Sequence, residues 1–159
     1  MRSSRSAEIW IAEDNEDVRL MLARAFKLGH PVERPLFFED GAKLYEYCKD
    51  HPADPKLLLL DVQMPVMGGL DALGAIRKDG RCRKTPVVIF SSHENPDTIR
   101  DAYSQGAKLY LKKPQRIEEY AQIAKLCATG AEMIRKLPAA AIPLGALDIR
   151  RVIQLLAQA

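Results

Sequence analysis

Five short apolar runs, each followed by a stretch of helical periodicity, are the feature that most limits what this chain can fold into. They are Ile9 to Ala12, Pro35 to Phe38, Leu57 to Leu60, Val87 to Phe90 and Ala107 to Leu111. Runs this short and this rich in Leu, Ile, Val and aromatics read as strands covered on both faces. The stretches between them read as helices over Asp17 to Lys27, Gly41 to Lys49, Gly69 to Lys78, Pro96 to Gln105 and Ile117 to Lys136, several opened by Asp, Asn or Pro. Strand and helix in strict alternation predict an α/β fold built on a parallel sheet. Right-handed crossovers leave few topologies, and for five strands the doubly wound order 2-1-3-4-5 is the expectation.

The chain has 159 residues, of which 47% are hydrophobic and 28% charged, enough for one sizeable core. The longest apolar stretches fall far short of the roughly 20 residues needed to span a bilayer, so no membrane helix is expected. Met1 to Ala7 lacks the apolar segment and cleavage site of a secretion signal and is expected to be disordered. Cys48, Cys82 and Cys127 are too widely spaced for a CxxC motif and read as small buried apolar residues in a reducing cytoplasm. A net charge of +3 is too mild for a protein that depends on many phosphate contacts, which argues against nucleic acid as a partner. The basic loop Arg77 to Lys84 falls on the amino-end side of such a sheet and reads as a solvated turn.

In a doubly wound sheet, ligands bind beyond the carboxyl ends of the strands. Glu13 and Asp14 follow the first strand, Asp61 the third, Ser91 and Ser92 the fourth, and Lys112, Lys113 and Pro114 the fifth. Carboxylates gathered at one edge repel unless a cation sits among them, and Mg²⁺ suits an oxygen set with one or two carboxylates. Asp14 and Asp61 are the favoured ligands. A phosphate could then reach Asp61 as nucleophile, with Lys113 pairing its oxygens and Ser91 offering a hydroxyl. Taken alone, Glu13 and Asp14 fit helix capping as well as metal binding, with Asn15 or Asp17 able to cap, and Lys113 alone would read as a solvated lysine.

Four segments together resemble the receiver domain of two-component response regulators: Ile11-Ala12-Glu13-Asp14-Asn15, the run from Leu57 through Asp61 to Gly69, Pro86 to Ser92, and Tyr110-Leu111-Lys112-Lys113-Pro114. The resemblance covers residues 8 to 137 and implies a flavodoxin-like sheet and phosphoryl transfer onto Asp61 from a sensor histidine kinase or phosphotransfer protein. It implies Asp14 as direct Mg²⁺ ligand, Glu13 as a ligand through water and the backbone carbonyl of Gln63 as a third. It implies that Ser91 and Tyr110 form the switch, that the small Ser92 keeps the phosphate approach open, that Gln63 and His93 tune dephosphorylation, and that the Lys113–Pro114 peptide is cis. Such a chain is not an enzyme beyond catalysing its own phosphorylation and dephosphorylation.

Three other readings compete. A Mg²⁺-dependent aspartyl-nucleophile phosphatase would need a second Asp where Gln63 stands. A flavodoxin-like nucleotide binder would need a phosphate loop where Glu13 to Asp17 are acidic. A degenerate receiver, acting as a phosphorylation-independent binding module, is disfavoured by the full set of Asp14, Asp61, Ser91 and Lys113.

Residues 138–159 divide into a linker, Pro138 to Gly145, and a short helix bearing Leu147, Ile149, Val152, Ile153, Leu155 and Leu156. Twenty-odd residues cannot bury a core, so the expectation is a stand-alone receiver that signals by docking to a downstream protein, most like single-domain regulators serving bacteriophytochrome-type or hybrid kinases. The apolar helix needs a surface, either its own fifth helix or a partner chain. Docking that supports a homodimer through the fourth-helix and fifth-helix face is the favoured expectation.

Overall fold

The computed structural model describes residues 8–158; the disorder expected for residues 1–7 falls outside them. The strands are β1 Ile9–Ala12, β2 Pro35–Phe38, β3 Leu57–Leu60, β4 Val87–Ser91 and β5 Leu109–Lys112. The helices are α1 Glu16–Gly29, α2 Gly41–Asp50, α3 Gly69–Lys78, α4 Pro96–Ser104, α5 Glu118–Thr129, α6 Ala131–Lys136 and α7 Ile149–Ala157. All strand pairs are parallel and the order is β2-β1-β3-β4-β5, as the alternation predicts.

Side chains alternate across the sheet and build two apolar layers. Ile9, Ile11, Leu57, Leu59, Val88, Phe90, Leu109 and Leu111 face one layer with Leu22 and Phe26 of α1 and Ile123 and Cys127 of α5. Trp10, Ala12, Leu58, Leu60, Val87, Ile89 and Tyr110 face the other, with Leu44 of α2, Leu73 and Ile76 of α3 and Ala102 of α4. All three cysteines are buried free thiols. Asn15, Asp40, Asn95 and Asp148 cap α1, α2, α4 and α7 through their side chains.

Several boundaries differ from expectation for local reasons. β5 begins at Leu109 because Ala107 N–H still bonds to Ala102 C=O in the turn, where Gly106 has φ 94°. The helix expected over Ile117 to Lys136 divides at Gly130, where a Cβ would sit 2.7 Å from the Leu126 carbonyl oxygen. The loop before β4 is not a solvated turn throughout. Arg81 pairs with Asp54 at 2.9 Å and donates to the carbonyls of His51 and Cys48, and Arg77 donates to the Cys82 carbonyl. Only Arg83 and Lys84 of that segment's last four residues are exposed.

The tail folds back on its own domain. Leu147 makes a parallel bridge to Leu111 on the outer edge of β5, and Leu147, Ile149, Val152, Leu155 and Leu156 are buried in the layer that holds α5. The apolar stripe expected to support a homodimer is thus spent on the chain's own β5 and α5, with Ile153 left 41% exposed. Among the described residues no helix is long and apolar enough to cross a membrane.

Candidate functional site

The register of the sheet brings the ends of β1 and β3 level, Ala12 opposite Leu60, so the residues that follow them meet. Asp61 N–H bonds to Ala12 C=O at 2.9 Å, and Glu13 N–H to Phe38 C=O at 2.9 Å. A Cβ on Gly69 would overlap the Asp61 carbonyl oxygen, so only glycine lets the start of α3 pack this close behind the acidic end of β3. Arg19, one turn into α1, donates to the carbonyls of both Glu13 and Asp14 at 2.9 Å and fixes the β1–α1 loop from behind.

Glu13, Asp14 and Asp61 each place a carboxylate oxygen within 4.8 Å of the others. Glu13 is inaccessible to solvent, Asp61 is 4% exposed, and Asp14 lies open to it. Lys113 reaches in from the end of β5, its Nζ 2.8 Å from Asp61 Oδ2 and 2.9 Å from Glu13 Oε1. The ammonium also stands 5.7 Å from the centre of the Phe90 ring. One lysine cannot neutralise three carboxylates. Burial, then the charge of Asp61, raises the Glu13 pKa from 4.5 to about 7. Burial likewise raises that of Asp61, against the opposing pull of Lys113. Burial works against the Lys113 charge, but its bonds to Asp61 and Glu13 outweigh that and raise its pKa.

The residues present fit a hard divalent cation. Glu13 Oε2 is buried with no hydrogen-bond donor, although Lys113 Nζ lies 2.9 Å away in poor geometry for a bond. A buried carboxylate oxygen in that state is costly unless a donor such as a metal-bound water reaches it.

The fourth strand end completes the site. Ser91 is buried, and its Oγ accepts from His93 N–H at 3.1 Å. Tyr110 is fully buried on β5 and donates its hydroxyl to His93 C=O at 2.8 Å, so the expected switch pair is linked through the His93 backbone. An open polar pocket at this edge is lined by Asp14, Asp61, Gln63, Ser92, His93 and Lys113, among others. The side chains of Gln63, Ser92 and His93 are exposed at its rim.

Apart from Tyr110, which lies within β5, every site residue named from the sequence therefore stands at the carboxyl edge of the sheet. One expectation is corrected: the Lys113–Pro114 peptide is trans, and no cis bond occurs among the described residues. The trans form is favoured by roughly 0.5–1 kcal/mol at X-Pro bonds, and Lys113 reaches both carboxylates from it. Arg19 and Phe90 were not legible as site residues. Arg19 acts on backbone carbonyls and Phe90 through its ring face, and neither role leaves a mark in residue spacing.

A parallel sheet in this order, with an acidic cluster at its carboxyl edge and a lysine and a buried hydroxyl facing it, defines a receiver. The chain belongs to the response regulator receiver domain family, whose model matches residues 9–125. Among its relatives is the probable methanogenesis regulatory protein FilR2 of Methanothrix harundinacea, 30% identical over 115 residues that make up 70% of this chain and 74% of that one. The DNA-binding transcriptional regulator NtrC of Escherichia coli is 36% identical over 111 residues, 70% of this chain but 22% of NtrC. Solved structures of the same fold include the phosphorylated cyanobacterial phytochrome response regulator RcpA, with TM-score 0.70 and 23% identity over 79% of this chain and 96% of that one. The receiver domain of the putative regulator NarL from Mycobacterium tuberculosis has TM-score 0.62 and 28% identity over 79% and 98%.

Proposed function

We propose that the chain is a phosphoacceptor receiver: Asp61 takes a phosphoryl group from a sensor histidine kinase or phosphotransfer protein, and the chain signals by docking to a downstream protein. The observation that carries this reading is the Asp61 carboxylate, 4% exposed, with one oxygen on Lys113 and both neighbours acidic. A merely structural aspartate would not be held beside two more carboxylates at a pKa cost.

In the transfer, an Asp61 carboxylate oxygen attacks the donor phosphorus as the P–N bond of a phosphohistidine breaks, and its electron pair returns to the imidazole. Mg²⁺, when bound, offsets the charge of the carboxylates and the phosphoryl oxygens. Asp14 and Asp61 would hold it directly, the Gln63 carbonyl would supply a further oxygen and Glu13 would act through water. Lys113, released from Glu13, pairs with a phosphoryl oxygen, and the Ser91 hydroxyl and the open side of Ser92 accommodate another. Gln63 and His93 stand at the rim where water would approach, which supports a role in setting the lifetime of the acyl phosphate. The chain catalyses only these reactions on itself, in the cytoplasm.

Incubation with radiolabelled acetyl phosphate and Mg²⁺ tests the reading. Uptake that is stable in acid and labile in base, and that is lost in Asp61→Asn, is expected. Equal labelling of the Asn variant would refute the assignment.

A further inference from the structure

We propose that the tail segment Gly145 to Leu147 latches Tyr110 in its inward position, so that tail docking and a phosphoryl group at Asp61 favour one another. The second half of this inference rests on the phosphoacceptor reading.

β5 is the edge strand, and its outward backbone groups would ordinarily bond to water. Here they are taken by this chain. Leu147 N–H donates to Tyr110 C=O and Lys112 N–H to Leu147 C=O, both at 2.8 Å. The Tyr103 hydroxyl accepts from Tyr110 N–H at 3.2 Å and donates to Gly145 C=O at 3.3 Å. Both main-chain polar groups of Tyr110 are therefore tied to the tail, one directly and one through Tyr103.

The side chain is held from the same quarter. Tyr103 and Ala146 pack against the apolar cluster that contains Tyr110, and Leu144 to Ala146 stand across a groove from Pro96 and Ile99 of α4. An outward swing of the Tyr110 ring would displace Ala146 and Tyr103. While the ring stays inward its hydroxyl holds His93 C=O, and His93 N–H is bonded to the Ser91 hydroxyl at the pocket. The tail, Tyr110, His93 and Ser91 thus form one bonded chain from the β5 edge to the phosphoryl site. A ligand that holds Ser91 and Tyr110 in this inward arrangement would then favour the docked tail, and the docked tail would strengthen that ligand by the same factor.

Two full-length variants test the coupling with Mg²⁺ and beryllofluoride as the phosphoryl mimic. Tyr103→Phe removes the bridging hydroxyl, and Ala146→Glu puts a charge against the cluster. Beryllofluoride affinity by calorimetry should fall about 5- to 10-fold in each while far-UV circular dichroism is retained. In the unaltered chain, amide exchange at Leu147 should slow by a similar factor when beryllofluoride is added, a reciprocity that a purely structural tail would not produce. Unchanged affinity in a folded variant, or Leu147 exchange that is unaltered or faster with the mimic, would overturn the latch. If the unaltered chain bound no beryllofluoride, the phosphoacceptor reading itself would fall, and the coupling with it. Should either variant fail to fold, the other and the exchange measurement decide.

Discussion

Glu13→Gln should make the Mg²⁺-free protein more stable at pH 8, although it alters a buried residue that bonds to Lys113. In the folded chain burial and the charge of Asp61 lift the Glu13 pKa from 4.5 to about 7. The folded state therefore binds this proton more tightly than the unfolded state does. Stability is highest below about pH 4.5 and falls as pH rises towards about 7, above which the loss is complete. At 1.36 kcal/mol per pH unit that span corresponds to about 3 kcal/mol. Glutamine is neutral at every pH and escapes the loss, but its amide meets the Lys113 ammonium with one acceptor fewer, so a net gain of about 2 kcal/mol is expected. Urea unfolding at pH 5 and pH 8 measures it: the two proteins should nearly coincide at the lower pH and separate at the higher. Saturating Mg²⁺ should stabilise the parent more than the variant and close the gap. A variant weaker than the parent at pH 8, or a difference independent of pH, would refute the claim that an unneutralised carboxylate is stored here.

Asp14→Asn should lower Mg²⁺ affinity, measured by calorimetry, by more than Glu13→Gln does, since losing a group that acts through water typically costs about 10- to 100-fold; equal affinities would mean that the ligand assignment is wrong. Val66, 87% exposed with φ 67°, is a β-branched residue in the left-handed region, so Val66→Gly should raise the unfolding free energy by about 0.5–1 kcal/mol, read as a higher urea midpoint with an unchanged slope. Burial lifts the thiols of Cys82 and Cys127 to about 12, so neither should react with iodoacetamide at pH 8 in the folded protein over a period in which the urea-unfolded chain reacts fully.

The acidic site was legible because its residues sit at strand ends, and a parallel sheet carries every such end to the same edge. Asp61 after four leucines and Lys113 after the β5 run needed only the strand order to be brought together, and the register delivers them 2.8 Å apart. The docking of the tail was less legible. A single bridge at Leu147 makes no periodic pattern, and the apolar stripe of α7 fits its own domain or a partner equally well until β5 is seen to offer an open edge. Arg77 and Arg81 read as charge on a loop because their partners include carbonyl oxygens, which every residue possesses. The break falls at Gly130, whose N–H still bonds to the Leu126 carbonyl one turn back and whose setting leaves little room for a Cβ, a local geometry that the apolar spacing does not mark.

The most direct test of the account is to locate the phosphoryl group. The protein is incubated with acetyl phosphate, with and without Mg²⁺, reduced with borohydride to trap an acyl phosphate, digested and mapped by mass spectrometry. One modified site at Asp61, formed only with Mg²⁺, is the expected result. A phosphoryl group on Ser91, Ser92 or His93, or modification of Asp61 that proceeds equally well without the metal, would contradict it.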